Sequence, residues 1–435
     1  MEFTASDVIQ FAKENDVKFI RLAFCDVFGT LKNLSIMADE LPRAFERGIL
    51  FDASSVAGYS ELGQPELYLY PDPTTLTVLP WRPQQGRVVR LFCNIRLPDG
   101  TPFEGDNRVI LQAAAAKAER LGYTCLIGTD CEFYLFEADD NGWPTRNPQD
   151  SAGFFDVAPL DRGENVRRDI CLTLEEMDIK PQSSHHENGP GQNEIDFNSG
   201  TALRAADNFA TFRSVVKAMA SRNGLYASFM PKPIPNESGS GLHLKLSLFH
   251  DGANIFKCVN GSLTGQARSF IAGILRHAKD MALFLNPLTN SYTRLASSEG
   301  LKHIGWSFYS LSQIVRVPTV CDDLGYMALR SSDPSCNPYI VFALVLCAGL
   351  EGIELGYELS DELYCETIRD AEALSELPAT LHEAIQEAKD SSFLKSVLPE
   401  GLIDSYIAAK QKEWDIYSAH SDKEVAEHEM YFKVI

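Results

Sequence analysis

The stretch Gly239–Leu248, GSGLHLKLSL, alternates apolar and polar residues along most of its length. Leu242, Leu244, Leu246 and Leu248 share one parity; His243, Lys245 and Ser247 share the other. A strand sends successive side chains to opposite faces, so this pattern predicts a strand with a buried leucine face. His243 and Lys245 then stand together on the other face, just after a glycine-rich turn. That face is either wetted surface or the wall of a site.

Three further strand-like segments carry unusual polar residues: CLIGTDCEFYLFE from Cys125, SSHHENGPGQNEIDF from Ser183 and SQIVRVPT from Ser312. Asp130 and Glu132 lie two residues apart, so both carboxylates project from one strand face, while Cys131, Phe133 and Leu135 take the buried face. Glu187 and Glu194 flank a Gly-Pro-Gly turn, and Glu194 shares a face with Asp196. With His243 these form a set of oxygen ligands plus one imidazole, the mixture that magnesium or manganese takes. Acids on one exposed strand face serve solubility. Three such strands, each beside Gly-rich or His-containing turns, point to a site.

The opposite charge comes later, at Arg294, Arg316 and Arg330, with Glu299 nearby. An arginine between Ile, Val and Val must be paired or bind a ligand. Facing a carboxylate-lined cavity, such arginines suit a substrate carboxylate held bidentately. Internal salt bridges to the same acids are the competing reading, above all for Arg330.

Around these strands the chain alternates. Residues 1–16 read as a short amphipathic helix, and Val17–Ile36 as a hairpin turning near Gly29. Phe51–Glu61 reads as loop, and strands follow to a boundary near residue 100. Helices are expected up to Gly122 and over Asn208–Asn223, Leu263–Leu285, Cys336–Glu354, Leu374–Ser391 and Leu402–His420.

The 435 residues suggest two domains, and 45% apolar content supports a sizeable core. A net charge of -21 argues against nucleic acid or an anionic membrane as partner. The ten cysteines include no C-x-x-C pair, so reduced thiols are expected rather than a zinc ribbon. The N-terminus carries acids and lacks the apolar segment of a signal peptide, and the longest apolar run, Tyr339–Leu350, is too short to span a bilayer. A cytoplasmic enzyme is the expectation.

The ordered series CEFYLF, HHENGPGQNEIDF, FMPKPIPNESGSGLHLKLSL, NPLTNSYTRL and DPSCNPY resembles glutamine synthetase of the class I bacterial type. FIRLAFCDVFGTLKN, FDASSV, PDPTTLTVLPW and PFEGDNR extend the resemblance through the N-terminal part. It implies an α+β fold: a small β-grasp domain over 1–100, then a large catalytic domain over 101–435 whose antiparallel sheet forms an active-site funnel. It further implies a homo-oligomer of stacked hexameric rings, with the FDASSV loop donated to the neighbouring subunit's funnel. The implied reaction is phosphorylation of the γ-carboxylate of glutamate by ATP, then displacement of phosphate by ammonia, with Mg2+ or Mn2+ neutralising phosphoryl oxygens.

Residue by residue, the resemblance implies one complete metal set, Glu132, Glu187 and Glu194. His243 and a shortened Asp130 fall on the second metal. Asp52 matches the ammonium-site aspartate, and Glu299 matches the flap glutamate across a one-residue gap. Arg294 and Arg316 match substrate- and phosphate-facing arginines. Arg330, Gly239 and His243 fall on the glutamate side, and Lys245 and Arg316 on the nucleotide side. The departures are Ala328 for a second-metal glutamate, Leu311 and Tyr326 for arginines, Gln182 for a nucleotide-contacting glutamate, Phe154 for a tyrosine and Lys245 for a histidine. They cluster at the nucleotide end. The implied function is an ATP- and metal-dependent ligase joining glutamate to ammonia or another amine. The alternatives are a regulatory oligomer with reduced activity and a single-metal γ-glutamyl amide hydrolase.

Overall fold

The structure is a computed structural model and describes residues 3–59, 63, 65–82, 85–258, 262–297, 301, 303–319, 323–363 and 375–435. Two sheets organise it. The N-terminal one has six strands and grows from the expected hairpin. Strands Val17–Cys25 and Leu31–Met37 pair antiparallel, and the first also pairs parallel with Arg87–Arg96. At the hairpin turn Gly29 has φ +79°, and a Cβ there would lie 2.7 Å from the Asn337 backbone. Glycine is needed twice over, for the left-handed conformation and for the close approach of the second sheet's partner helix.

Phe51 and Asp52, expected in a loop, close the short strand Ile49–Asp52. Its four residues alternate between buried and exposed, too short a run to stand out in the sequence. The Asp52 carboxylate accepts from the Ser54 backbone N–H at 2.9 Å and from its hydroxyl at 2.6 Å, which turns the chain out of the strand.

The second sheet has ten strands. Its long central strand, Tyr123–Ala138, pairs antiparallel with Gln192–Thr201 on one side and Leu242–His250 on the other. Gln192–Thr201 continues antiparallel to Pro181–His186. Beyond 242–250 come Met327–Leu329 and Gln313–Arg316, and then His303–Ser307, which runs parallel to its neighbour and departs from the otherwise antiparallel pattern. The alternation in 242–250 is realised as read. Leu242, Leu244, Leu246 and Leu248 are buried, and His243 and Lys245 lie on the opposite, partly open face.

Helices pack on the leucine side. Asn107–Arg120 and Ala202–Arg222 contact the central strand and the helix Pro338–Leu355. Pro338–Leu355 is long and apolar enough to cross a membrane, but 78% of it is buried inside the protein. The described cysteines are free thiols, most of them buried. Three helix expectations need correction. The helix expected over Leu374–Ser391 is shorter, Leu381–Asp390, with 375–380 outside it and 374 outside the described residues. The segment read as Leu263–Leu285 is two helices, Gly265–Arg276 and Ala278–Leu285, broken at His277. The His277 ring is held there by Asp280 at 2.8 Å and Glu351 at 2.9 Å, a tertiary bond that periodicity does not carry. The helix read from Asn208 begins six residues earlier, at Ala202. Helices Glu164–Glu176, Ser392–Val397 and Lys423–Tyr431 were not foreseen.

Candidate active site

Strand register assembles the site. His243 lies opposite Asp130, and Asp130 opposite Asp196. One step along, Glu132 lies opposite Glu194, and Glu194 opposite His185. The even spacing that put Asp130 and Glu132 on one face does the same on each neighbouring strand, so the acids form a two-row patch on the open side of the sheet.

A cavity of about 600 Å³ opens over this patch. Its wall includes Glu132, Glu187, Glu194, Gly239, His243, Arg294, Arg316 and Arg330, so eight of the sequence-assigned residues meet in one place. Asp130 and Lys245 lie beside them on the same face but off the lining. Asp52 is exposed on the N-terminal sheet and does not line this cavity. Glu299 lies outside the described residues.

Two of the three glutamates, Glu132 and Glu187, are held by neighbours that the sequence reading passed over. Glu132 Oε2 accepts from the Gly241 backbone N–H at 2.9 Å and from the Gln192 carboxamide at 3.1 Å. Glu187 meets the His185 ring at 2.9 Å and accepts from Asn188 at 3.1 and 3.2 Å. Behind Glu187, His186 bonds the Glu187 carbonyl at 2.6 Å and Asp150 at 3.0 Å. The signal for His185 was present, since it stands two residues from Glu187 on the same strand end. Gln192 and Asp150 gave none, because their roles depend on chain crossings.

Charge is unbalanced on this wall. Burial, then repulsion from Glu187, pushes the Glu132 carboxyl up to about 8. Burial and repulsion from Glu132 push Glu194 up to about 11. Clustered carboxylates in a poorly solvated wall resist ionisation unless a cation joins them. His243 is pushed the other way, to about 3, by burial and the positive charges of Arg330, Arg294, Lys245 and Arg316. It is a neutral imidazole with a lone pair to offer. A Cβ added at Gly241 would lie 3.7 Å from Glu132 Oε1, 3.7 Å from His243 Nε2 and 3.6 Å from Arg294 Nη1, so these three groups converge beside the Gly241 backbone. Three carboxylates, two of them with ordered outer partners, and a neutral imidazole fit one hard divalent cation.

The second metal set implied by the sequence does not fit in the same way. Asp130 Oδ1 is 2.6 Å from the Lys245 ammonium. Ala328, directly across from Lys245, brings no carboxylate.

The arginines form the other wall. Arg294 is buried and donates to the Ser331 carbonyl and, at 3.2 Å, to Ser332; its Nε has no partner among the described residues. Arg330 donates to the Leu311 carbonyl, and Arg316 leaves its buried Nε unpaired among the described residues. Burial, and for Arg330 repulsion from Arg316, lowers the pKa of Arg294 and Arg330. Carbonyl partners orient these guanidiniums without neutralising them, which leaves positive charge for an anionic ligand. The salt bridges to acids that competed for Arg330 are not formed among the described residues. Leu311 and Phe154, two departures from the family pattern, also line the cavity.

Comparison with known proteins agrees with this architecture. Residues 16–98 match the family "Glutamine synthetase, beta-Grasp domain" and residues 104–431 match "Glutamine synthetase, catalytic domain". The glutamine synthetase of Clostridium saccharobutylicum is 46% identical over 425 residues, covering 96% of each chain. That of Methanosarcina mazei is 43% identical over 430 residues, covering 96% of this chain and 95% of its own. Among solved structures, a GmaS/ADP complex superimposes with a TM-score of 0.86 at 28% identity, covering 96% of this chain and 97% of that one. The Plasmodium falciparum glutamine synthetase shares the fold, with a TM-score of 0.85 at 22% identity over 97% of this chain and 98% of its own.

Proposed function

The chain belongs to the glutamine synthetase family as a glutamine-synthetase-like ligase, and on that premise we propose that it joins the γ-carboxylate of glutamate to ammonia or another amine, with ATP and Mg2+ or Mn2+. One observation carries the reading: a single cavity lined by three glutamates, a neutral histidine and three arginines. Glu132, Glu187 and Glu194 would hold the divalent ion, which when bound supplies charge neutralisation for phosphoryl oxygens. Arg330 and Gly239 hold the glutamate end, and Arg294 and Arg316 position negative oxygens that develop charge during transfer. The solved GmaS/ADP complex supports nucleotide binding in this fold. Phe154 offers the acceptor side of the cavity an apolar ring, which suits a substituted amine.

Asp52 lies away from this chain's cavity, which suits a homo-oligomer of stacked hexameric rings in which each chain lends Asp52 to its neighbour's site. The protein then works in the cytoplasm, with small-molecule substrates and neither nucleic acid nor membrane as partner. The family matches favour the ligase over a silent binding oligomer or a single-metal amide hydrolase. The test is ADP release by the purified protein supplied with ATP, glutamate, Mg2+ and a panel of amines including ammonia. Release that requires both glutamate and an amine supports the ligase; no release with any amine overturns it.

A further inference from the structure

Two acidic groups flank the cavity, and they are not equivalent. His185, Glu187 and Glu194 bring ligand atoms within 4.8 Å of one another, and so do Asp130, Glu194 and Asp196. Glu194 belongs to both. Among the described residues, only the second group has a lysine or arginine in salt-bridge contact. Lys245 Nζ stands 2.6 Å from Asp130 Oδ1, in a pair whose side chains are 22% and 11% exposed.

The register explains why the ammonium sits there. Lys245 lies opposite Gly128 on one neighbouring strand and Ala328 on the other. Neither has a side chain long enough to crowd or bind the lysine. Beyond Ala328 the next residue in the row is Arg316, a second cation on the side away from the acids. The Tyr326 ring, 5.6 Å from Nζ, offers its face to the cation. On the acid side, Asp196 is tied by the Ser183 hydroxyl at 2.5 Å.

We propose that the Lys245 ammonium is the resident cation of the Asp130–Glu194–Asp196 group, so that each chain loads one divalent ion, through Glu132, Glu187 and Glu194, and no second ion beside Asp130. A divalent ion needs carboxylate oxygens free of other cations, and an ammonium at contact distance both occupies Asp130 and repels the incoming charge. A lysine differs from an ion in one useful respect: it cannot dissociate. The site keeps one positive charge at this position at any metal concentration. The significance of the loaded ion for catalysis rests on the ligase reading; the number of ions does not.

The test counts ions without turnover. Mn2+ is titrated into the full-length protein and free Mn2+ is followed by its electron paramagnetic resonance signal. Glu194→Gln serves as the reference, because Glu194 belongs to both groups. The number of ions lost on that substitution is expected to be one per chain in the natural sequence. It rises to two in the Lys245→Gln background and stays at one in Lys245→Arg, which keeps the charge. A loss of two, or of none, in the natural sequence overturns the proposal, as does a loss of one in Lys245→Gln. The count in the natural sequence needs no Lys245 variant to fold. Failed ADP release with a count of one would sink the ligase reading alone, and amine-dependent release with a count of two would sink this proposal alone.

Discussion

Glu132 and Glu194 face each other across adjacent antiparallel strands, with nothing cationic between them on their own row. Burial, with repulsion from Glu187 on Glu132 and from Glu132 on Glu194, makes the wall a place where folding and cation binding are coupled. The carboxyl of Glu132 rises from its ordinary 4.5 to about 8. A raised acid keeps its proton in the folded chain after the unfolded chain has released it. Its stability is full below the unfolded value and falls as pH climbs toward the folded one. In chelator, melting temperature should therefore decline from about pH 4.5 to about pH 8, with Glu194 extending the decline above that range. Saturating Mg2+ should remove most of the decline, since an ion holds the carboxylates ionised. Parallel melts that coincide with and without the ion would refute the coupling.

Glu194→Gln removes one ionisable carboxyl from the crowded wall. In chelator its melting temperature should equal or exceed that of the natural sequence. Mass action gives a native-state ligand at 100 times its Kd a stabilisation of about 2.7 kcal/mol. That increment should appear with Mn2+ in the natural sequence and vanish in the variant, as read by thermal shift across a metal titration.

Gln192 donates to Glu132 Oε2 at 3.1 Å and to the Gly239 carbonyl at 3.1 Å, linking the metal wall to the glycine turn. Gln192→Leu keeps the volume and removes both bonds. Loss of such an outer partner typically weakens metal affinity roughly 10- to 100-fold. Calorimetric titration should show that loss with the ion count per chain unchanged.

Arg294→Lys keeps a charge but loses the fork that reaches Ser331 and Ser332. An ammonium is a single compact charge, so it cannot hold both carbonyls from one nitrogen while presenting a second, coplanar donor to the cavity as Nη1 does. The kcat/KM for glutamate should fall by about 10²- to 10³-fold, the scale of a lost charge-stabilising donor. Retention of activity within a factor of a few would remove Arg294 from the machinery.

Gly29→Ala tests the junction between the sheets. The added methyl meets Asn337 backbone at 2.7 Å, and the residue has φ +79°. Strain of this kind costs of order 1–3 kcal/mol. The variant should unfold at lower denaturant, and Asn337 should lose its grip on the Val27 carbonyl, now 3.0 Å away.

The alternation in GSGLHLKLSL was enough to separate the leucine face from the face of His243 and Lys245, because a strand's period of two is local physics. The same rule placed Asp130 with Glu132 and Glu194 with Asp196. Residue order alone also carried the family, through a series of motifs spread along the chain. What the sequence could not supply was register. That Lys245 reaches Asp130, that Ala328 lies between Lys245 and Arg316, and that Gln192 holds Glu132 are outcomes of which residues lie opposite one another across separate strands. The helix break at His277 belongs here too, since its cause is a bond to Glu351 some seventy residues away. Local periodicity determines which face a side chain takes. Only the packed sheet decides which other charge it meets there, because Coulomb and hydrogen-bond energies depend on distances of a few ångströms that sequence spacing does not set.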